Sequence, residues 1–326
     1  SLSKRLLGGG HRLETRQDLD DNLIDEIIAQ NSLNRQTRST KLRITQQYYQ
    51  SLRAMLALEI QERQLNNAKK NLEIAEGNDK SKLDISTAAI QVADRELSLL
   101  RQKRVIATQI DSLKESMGYP LEKELLISKA FAYQSQKYNW QKDLQQSQKE
   151  HEDFLNIGLE RLKLERNSKI RKQKVLPTLD LTYNHQLDST GDSLNLESGP
   201  QEETLSLNLN WDWGQRADKA NLALAKNRLS ENKVDFYALR QNKAQSLRQL
   251  HRRLLETQTS IAIQKRRVKL GEYQLELYKD RWTEGEIDIL EYIRSQNDLE
   301  NNKVTLINLK TTYMEIQAEY KFEVGK

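Results

Sequence analysis

Two periods govern the apolar residues of this chain. Over most of its length they recur every seven positions, and in one window they alternate with polar residues. Ile44, Leu58, Leu65 and Leu72 lie on one seven-residue series. A second holds Ile85, Val92, Leu99, Ile106 and Leu113, and a third holds Leu247, Leu254, Ile261, Val268, Leu275 and Trp282. The last holds Tyr292, Leu299, Leu306, Tyr313 and Tyr320. Seams of seven sustained this long predict long helices packed as coiled coils. Breaks at Gly77-Asn78-Asp79-Lys80, Gly118-Tyr119-Pro120 and Thr283-Glu284-Gly285 separate them. The pattern predicts helices over 13–76, from near Lys82 to Met117, from about Asn139 to Lys174, over Arg216–Trp282 and from about Asp288 onward. The Arg216–Trp282 helix would be roughly 100 Å long at its rise per residue.

The alternating window reads L-P-T-L-D-L-T-Y-N-H-Q-L from Leu176 and T-L-S-L-N-L-N-W-D-W from Thr204. Leu179, Leu181, Tyr183 and Leu187 share one face of the first strand, and Leu205, Leu207, Leu209, Trp211 and Trp213 share one face of the second. The opposite faces, Asp180, Thr182, Asn184 and Gln186, then Ser206, Asn208, Asn210 and Asp212, are wholly polar. Strands of about ten residues with one apolar face have the length and pattern of tilted strands in a membrane barrel. The joining segment, Asp188 to Glu203, reads as a water-exposed loop. Trp211 and Trp213 fit an aromatic girdle at a bilayer interface better than the core of a soluble sheet, because the alternation is clean.

The order strand, long helix, tight turn, return helix occurs twice. Gly10-His11-Arg12 precedes one long helix as Gly214-Gln215-Arg216 precedes the other. The expected organisation is a first repeat over 1–120, with a tip turn near 77–84, and a connecting segment over 121–138. A helix over 139–175, a transmembrane hairpin over 176–214, and a second repeat over 215–326 with a tip turn near 283–291 complete it. The first repeat begins with a strand stub near Leu6 to Gly10, so most of a first hairpin is expected upstream of Ser1.

Composition narrows the class. Charged residues make up 30% and aromatics 6% of 326 residues, with three prolines, and the mean hydropathy is −0.83. That profile suits long solvated helices with narrow seams. No apolar run approaches the ~18 residues of a membrane helix. The net charge of +5 is interspersed and gives no nucleic-acid footprint. There is no cysteine, which removes disulfide and thiol chemistry and suits a periplasmic or secreted setting. Ser1–Gly10 is too short in apolar core to read as a signal peptide.

Candidate chemistry is sparse. His11, His151, His185 and His251 lack metal-ligand spacing, and Gly8-Gly9-Gly10 lacks the Lys-Ser/Thr of a phosphate loop. No catalytic residue, cofactor site or metal site is expected, and the chain does not read as an enzyme. Ser81-Lys82-Leu83-Asp84 and Asp288-Ile289-Leu290-Glu291 both fit capping boxes. Two readings stand for Asp84, Asp288 and Glu291. They start helices, or, if several chains meet at these turns, they form negative rings that favour cations around an opening.

In combination these segments resemble the TolC-like outer-membrane efflux protein family. Val175 to Leu181 resembles its entry into a membrane strand, and Leu207 to Arg216 its exit strand and long-helix start. Gly285 to Glu291 resembles its tip turn G-x-x-[ST]-x-x-D, with Asp288 and Glu291 at the Ser/Thr and Asp positions, and Gly77 to Asp84 resembles the other tip, one residue longer. The resemblance implies a mainly α protein with a small β part. Long antiparallel coiled-coil helices would form an α-barrel, and hairpins would join a shared transmembrane β-barrel. It implies a homotrimer, Asp84, Asp288 and Glu291 at a periplasmic aperture, tip turns carried by Gly77, Ser81 and Gly285, and strand side chains facing lipid. It also implies passive export through the Gram-negative outer membrane, with a periplasmic adaptor and an inner-membrane transporter as partners of an efflux or type I secretion system. The alternative is a periplasmic coiled-coil adaptor or scaffold that uses the hairpin as a docking sheet.

Overall fold

The computed structural model describes residues 2–7, 11–77, 81–129, 133–187, 201–211 and 213–326. Their order is β1 (Leu2–Leu7), α1 (His11–Gly77), α2 (Lys82–Met117), α3 (Trp140–Glu150), α4 (Glu152–Lys174), β2 (Thr178–Leu187), β3 (Gln201–Asn210), α5 (Arg216–Thr283) and α6 (Ile289–Val324). The chain is mainly helical. Helices of 67 and 36 residues follow β1, and helices of 68 and 36 residues follow β3. Near-equal lengths in the same order make the two halves structural repeats. Gly8-Gly9-Gly10, residues 78–80 of the expected first turn and residues 188–200 of the expected loop lie outside the described residues.

Three expectations are corrected. The single helix expected from Asn139 to Lys174 is two helices, α3 and α4. The buried His151 between them is extended (φ −77, ψ 132), and its ring nitrogen accepts the Asp153 N–H, starting α4 afresh. The strand stub expected near Leu6 to Gly10 is a strand over Leu2–Leu7, held by pairing to β2 rather than by its own alternation. The second hairpin strand is β3, Gln201–Asn210, so Trp211 and Trp213 lie just past it. Its end is set by Gly214 and Gln215, whose φ of 92 and 35 turn the chain into α5.

The chain folds as two units, 1–34 with 148–242, and 35–147 with 243–326. The first holds the sheet, α4, the start of α1 and the first part of α5. Phe154 and Ile170 of α4 and Ala225 of α5 are buried, and Phe154 meets Phe236 edge-on at 5.7 Å. Lys163 and Arg166 of α4 pair with Asp25 and Asp21 of α1 at 2.7 Å each. Asn232 of α5 donates to the Ile157 carbonyl at 3.2 Å.

In the second unit α6 carries the deepest side chains, with Tyr313 and Tyr320 fully buried. Along α6, Gln264 of α5 donates to Asn302, Asn71 of α1 donates to Gln296, and Arg53 of α1 pairs with Glu315 at 2.8 Å. A Cβ on Gly271 of α5 would come within 3.3 Å of the Leu299 Cδ1, so α5 and α6 run close together there. The connecting segment is tied to the same helix: Gln317 donates to Tyr138 Oη at 2.7 Å, and the Gln136 N–H donates to Tyr313 Oη at 3.1 Å. Tyr320 donates to Asp143 at 2.7 Å, and burial, followed by that carboxylate, pushes its phenol above the usual range.

Candidate membrane sheet and acidic tip

The sheet is antiparallel, in the order β1-β2-β3. Its register places Leu179 opposite Leu209, Leu181 opposite Leu207 and Tyr183 opposite Leu205. Asp180, Thr182 and Asn184 stand opposite Asn208, Ser206 and Thr204. Successive residues point to opposite faces, so the pairing gathers one apolar and one polar face. Strand β1 extends both. Leu2 and Leu7 pair with Tyr183 and Leu179, with Lys4 opposite Leu181 as the one charge on that side of β1, while Arg5 pairs with Asp180, and its Nε lies 2.8 Å from that carboxylate. The register slips between Arg5 and Leu7, leaving Leu6 as a bulge.

The apolar face is open on β3, while Leu179, Leu181 and Tyr183 of the central β2 are half-buried. Leu205, Leu207 and Leu209 are 62–70% exposed. Trp211 and Trp213 are open as well and stack on each other, ring centroids 5.2 Å apart. At the other end the band gives way to His185, 3.6 Å from Glu203. Ten residues at ~3.4 Å each, tilted by ~40°, cover about 26 Å, close to the ~25 Å apolar band of a membrane barrel. No helix among the described residues is long and apolar enough to cross a membrane.

The acidic tips are built differently from each other. At α2, the Ser81 hydroxyl accepts the Asp84 N–H at 3.1 Å and donates to the Asp84 carboxylate at 2.7 Å. At α6 the expected side-chain cap is absent. Asp288 is extended (φ −71, ψ 151), its side chain makes no capping bond, and its backbone carbonyl takes the Glu291 N–H at 3.1 Å. Both Asp288 and Glu291 are therefore left exposed at a helix N-terminus. Just before them, Gly285 (φ 81) closes α5 with the Gly285 N–H on the Trp282 carbonyl and the Glu286 N–H on the Arg281 carbonyl. Ala75, Ala88, Trp282, Ile289, Tyr292 and Ile293 form one buried cluster beneath the turns. That cluster gathers the starts of α2 and α6, and so Asp84, Asp288 and Glu291, at one end of the unit.

The arrangement is shared with solved structures. The chain aligns over 99% of its length with 76% of CusC, a transmembrane channel, at 16% identity and a TM-score of 0.74. It aligns over 99% with 78% of the outer-membrane protein VceC from Vibrio cholerae, at 15% identity and 0.73. The open state of the Neisseria gonorrhoeae outer-membrane channel MtrE matches 95% of this chain with 71% of its own, at 14% identity and 0.73. The fold is that of a TolC-like outer-membrane factor. No protein-family model and no curated protein matches the sequence.

Within the outer-membrane-factor fold, the reach of β1 back to Leu2 and its Arg5–Asp180 pair were not foreseen, since S-L-S-K-R alternates too briefly to signal a strand. Glu286, paired with Arg281 at 3.1 Å, and the exposed Glu284 add acids at the second tip that sequence reasoning passed over. No cluster of three or more His, Asp or Glu that could hold a metal ion occurs among the described residues.

Proposed function

We propose that this chain is one protomer of a passive exit duct in the outer membrane of a Gram-negative bacterium. The observation that carries this reading is the exposed leucine face of β3 in the β1-β2-β3 sheet, within a fold shared with outer-membrane channels. In water such a face is a liability. In lipid it is the required surface, but open sheet edges are not tolerated there, so the sheet must close with strands from other copies. A homotrimer supplies them. The polar faces then line a wet lumen, and the long helices extend the duct into the periplasm. Asp84, Asp288 and Glu291, with tip turns at Gly77, Ser81 and Gly285, ring its periplasmic opening. Energy comes from an inner-membrane transporter joined through a periplasmic adaptor, in an efflux or type I secretion assembly that exports small molecules or polypeptides. The test is reconstitution of detergent-purified protein into a planar bilayer. Discrete cation-preferring channels are expected. A protein that stays soluble without detergent and conducts nothing would refute the reading.

A further inference from the structure

One stretch of α1 departs from the even mixing of charge elsewhere. Between Glu26 and Glu59 it has no acid and five cations, Arg35, Arg38, Lys41, Arg43 and Arg53. Arg53 is held by α6, where it donates to Thr311, Thr312 and Glu315. About four turns earlier on α1, Arg38 lies over the Phe322 ring of α6, 5.6 Å from its centroid. Between these two contacts the helices leave a cavity of about 440 Å³. Leu42, Tyr49, Met314 and Phe322, all half-buried, give it apolar walls. Arg38, Lys41, Lys321 and Lys326 line it as well, and none of its lining residues is acidic. The acids at this end of α6 are engaged elsewhere, Glu315 with Arg53, Glu319 with Arg253 and Glu323 with Lys243. Lys326 has only Asp143, at 4.0 Å. Lys41 and Lys321 are exposed and have no ion pair among the described residues.

We propose that this cavity binds a small anionic amphiphile, its carboxylate, sulfate or phosphate head between Lys41 and Lys321 and its apolar body against Tyr49, Met314 and Phe322. Charge decides the sign of the ligand. Cations gathered in one cleft repel one another, and the walls keep out part of the water that would screen them. An anion there replaces that repulsion with charge-assisted hydrogen bonds. The walls decide the rest of the ligand. A bare inorganic anion would leave them wet, whereas a chain or a ring buries apolar area on both sides. The volume lies within the ~300–1,000 Å³ of small-molecule sites, which excludes a folded partner as the occupant. So bound, the ligand bridges α1 and α6 close to where the connecting segment docks. Gln317, a further wall of the cavity, donates to both Gln136 and Tyr138 of that segment. The site lies within a single chain and stands whether or not copies form a ring.

The test is photolabelling. The full-length protein in a non-ionic detergent is incubated with dodecanoate carrying a terminal diazirine and irradiated, and the labelled peptides are mapped. Saturable labelling is expected in 38–49 of α1 and 314–326 of α6. Unlabelled dodecanoate should compete. Dodecyltrimethylammonium, with the same chain and the opposite charge, should not, and neither should inorganic phosphate at the same concentration. Competition by the cation would overturn the anion site, and competition by phosphate would overturn the need for an apolar body. Lys41→Gln and Lys321→Gln should each lower labelling at low probe concentration about ten-fold, the loss of one hydrogen bond to a charged group. Thermal unfolding of the unliganded variants should match that of the parent, because neither lysine is ion-paired. Variants labelled as well as the parent would overturn the proposal, as would a parent chain labelled only outside these two segments or not at all.

Discussion

Trp282 and Tyr292 stack face to face across the turn between α5 and α6, ring centroids 4.9 Å apart and planes within 10°. Both are buried, and the exposed acids Asp288 and Glu291 lie between them in the chain. Replacing Trp282 with Ala removes a large buried ring and leaves a cavity, at a cost of ~3–5 kcal/mol. Amide hydrogen exchange should show protection lost first at the end of α5 and the start of α6. Loss spread evenly over the helices would mean that the stack does not organise the tip.

The Arg53–Glu315 pair makes a pH-dependent contribution. Burial raises the Glu315 carboxyl above its usual range, and Arg53 pulls it back down. A raised carboxyl contributes stability below its ordinary range that is lost as pH rises through the raised value. Arg53→Met removes the opposing charge, so the carboxyl rises further and must ionise unpaired. Both side chains are partly exposed, so the cost at neutral pH is about 1–2 kcal/mol, below the ~3–5 of a fully buried pair. Thermal unfolding should show a smaller penalty at acidic than at mildly alkaline pH. An equal penalty at both would remove this account of Glu315.

The apolar sheet face separates a duct from a periplasmic scaffold. Leu207→Lys with Leu209→Lys puts two charges where lipid is expected, at ~2–4 kcal/mol each near the bilayer centre. The protein should disappear from the outer-membrane fraction while its helices still form. A variant that fractionates normally would favour a docking sheet in water.

At the tips, Asp84, Asp288 and Glu291 replaced together by Ala should reduce cation preference in single-channel recordings. Conductance should persist, since the helices that wall the duct are untouched. Unchanged selectivity would assign the aperture field to other acids, with Glu284 and Glu286 next in line.

Much of the fold is legible in the sequence because period reports burial directly. The heptad series ending in Tyr292, Leu299, Tyr313 and Tyr320 marks the helix that lies deepest, and the alternation of Leu205, Leu207 and Leu209 marks a one-sided strand. Where tertiary contacts override local pattern, legibility stops. Nothing in Q-K-E-H-E-D announces a helix break, because His151 acts through burial and a ring-nitrogen cap. Leu2–Leu7 is a strand only because β2 lies beside it. D-I-L-E has the letters of a capping box, yet the Asp288 backbone carbonyl, rather than its carboxylate, bonds within the turn.

The central claim is that this chain completes a membrane channel only as a ring of copies. The mass of the full-length protein in detergent, corrected for bound detergent, tests it most directly. A stable trimer that needs detergent to stay in solution is the expected result. A monomer that remains folded and soluble without detergent would contradict the account.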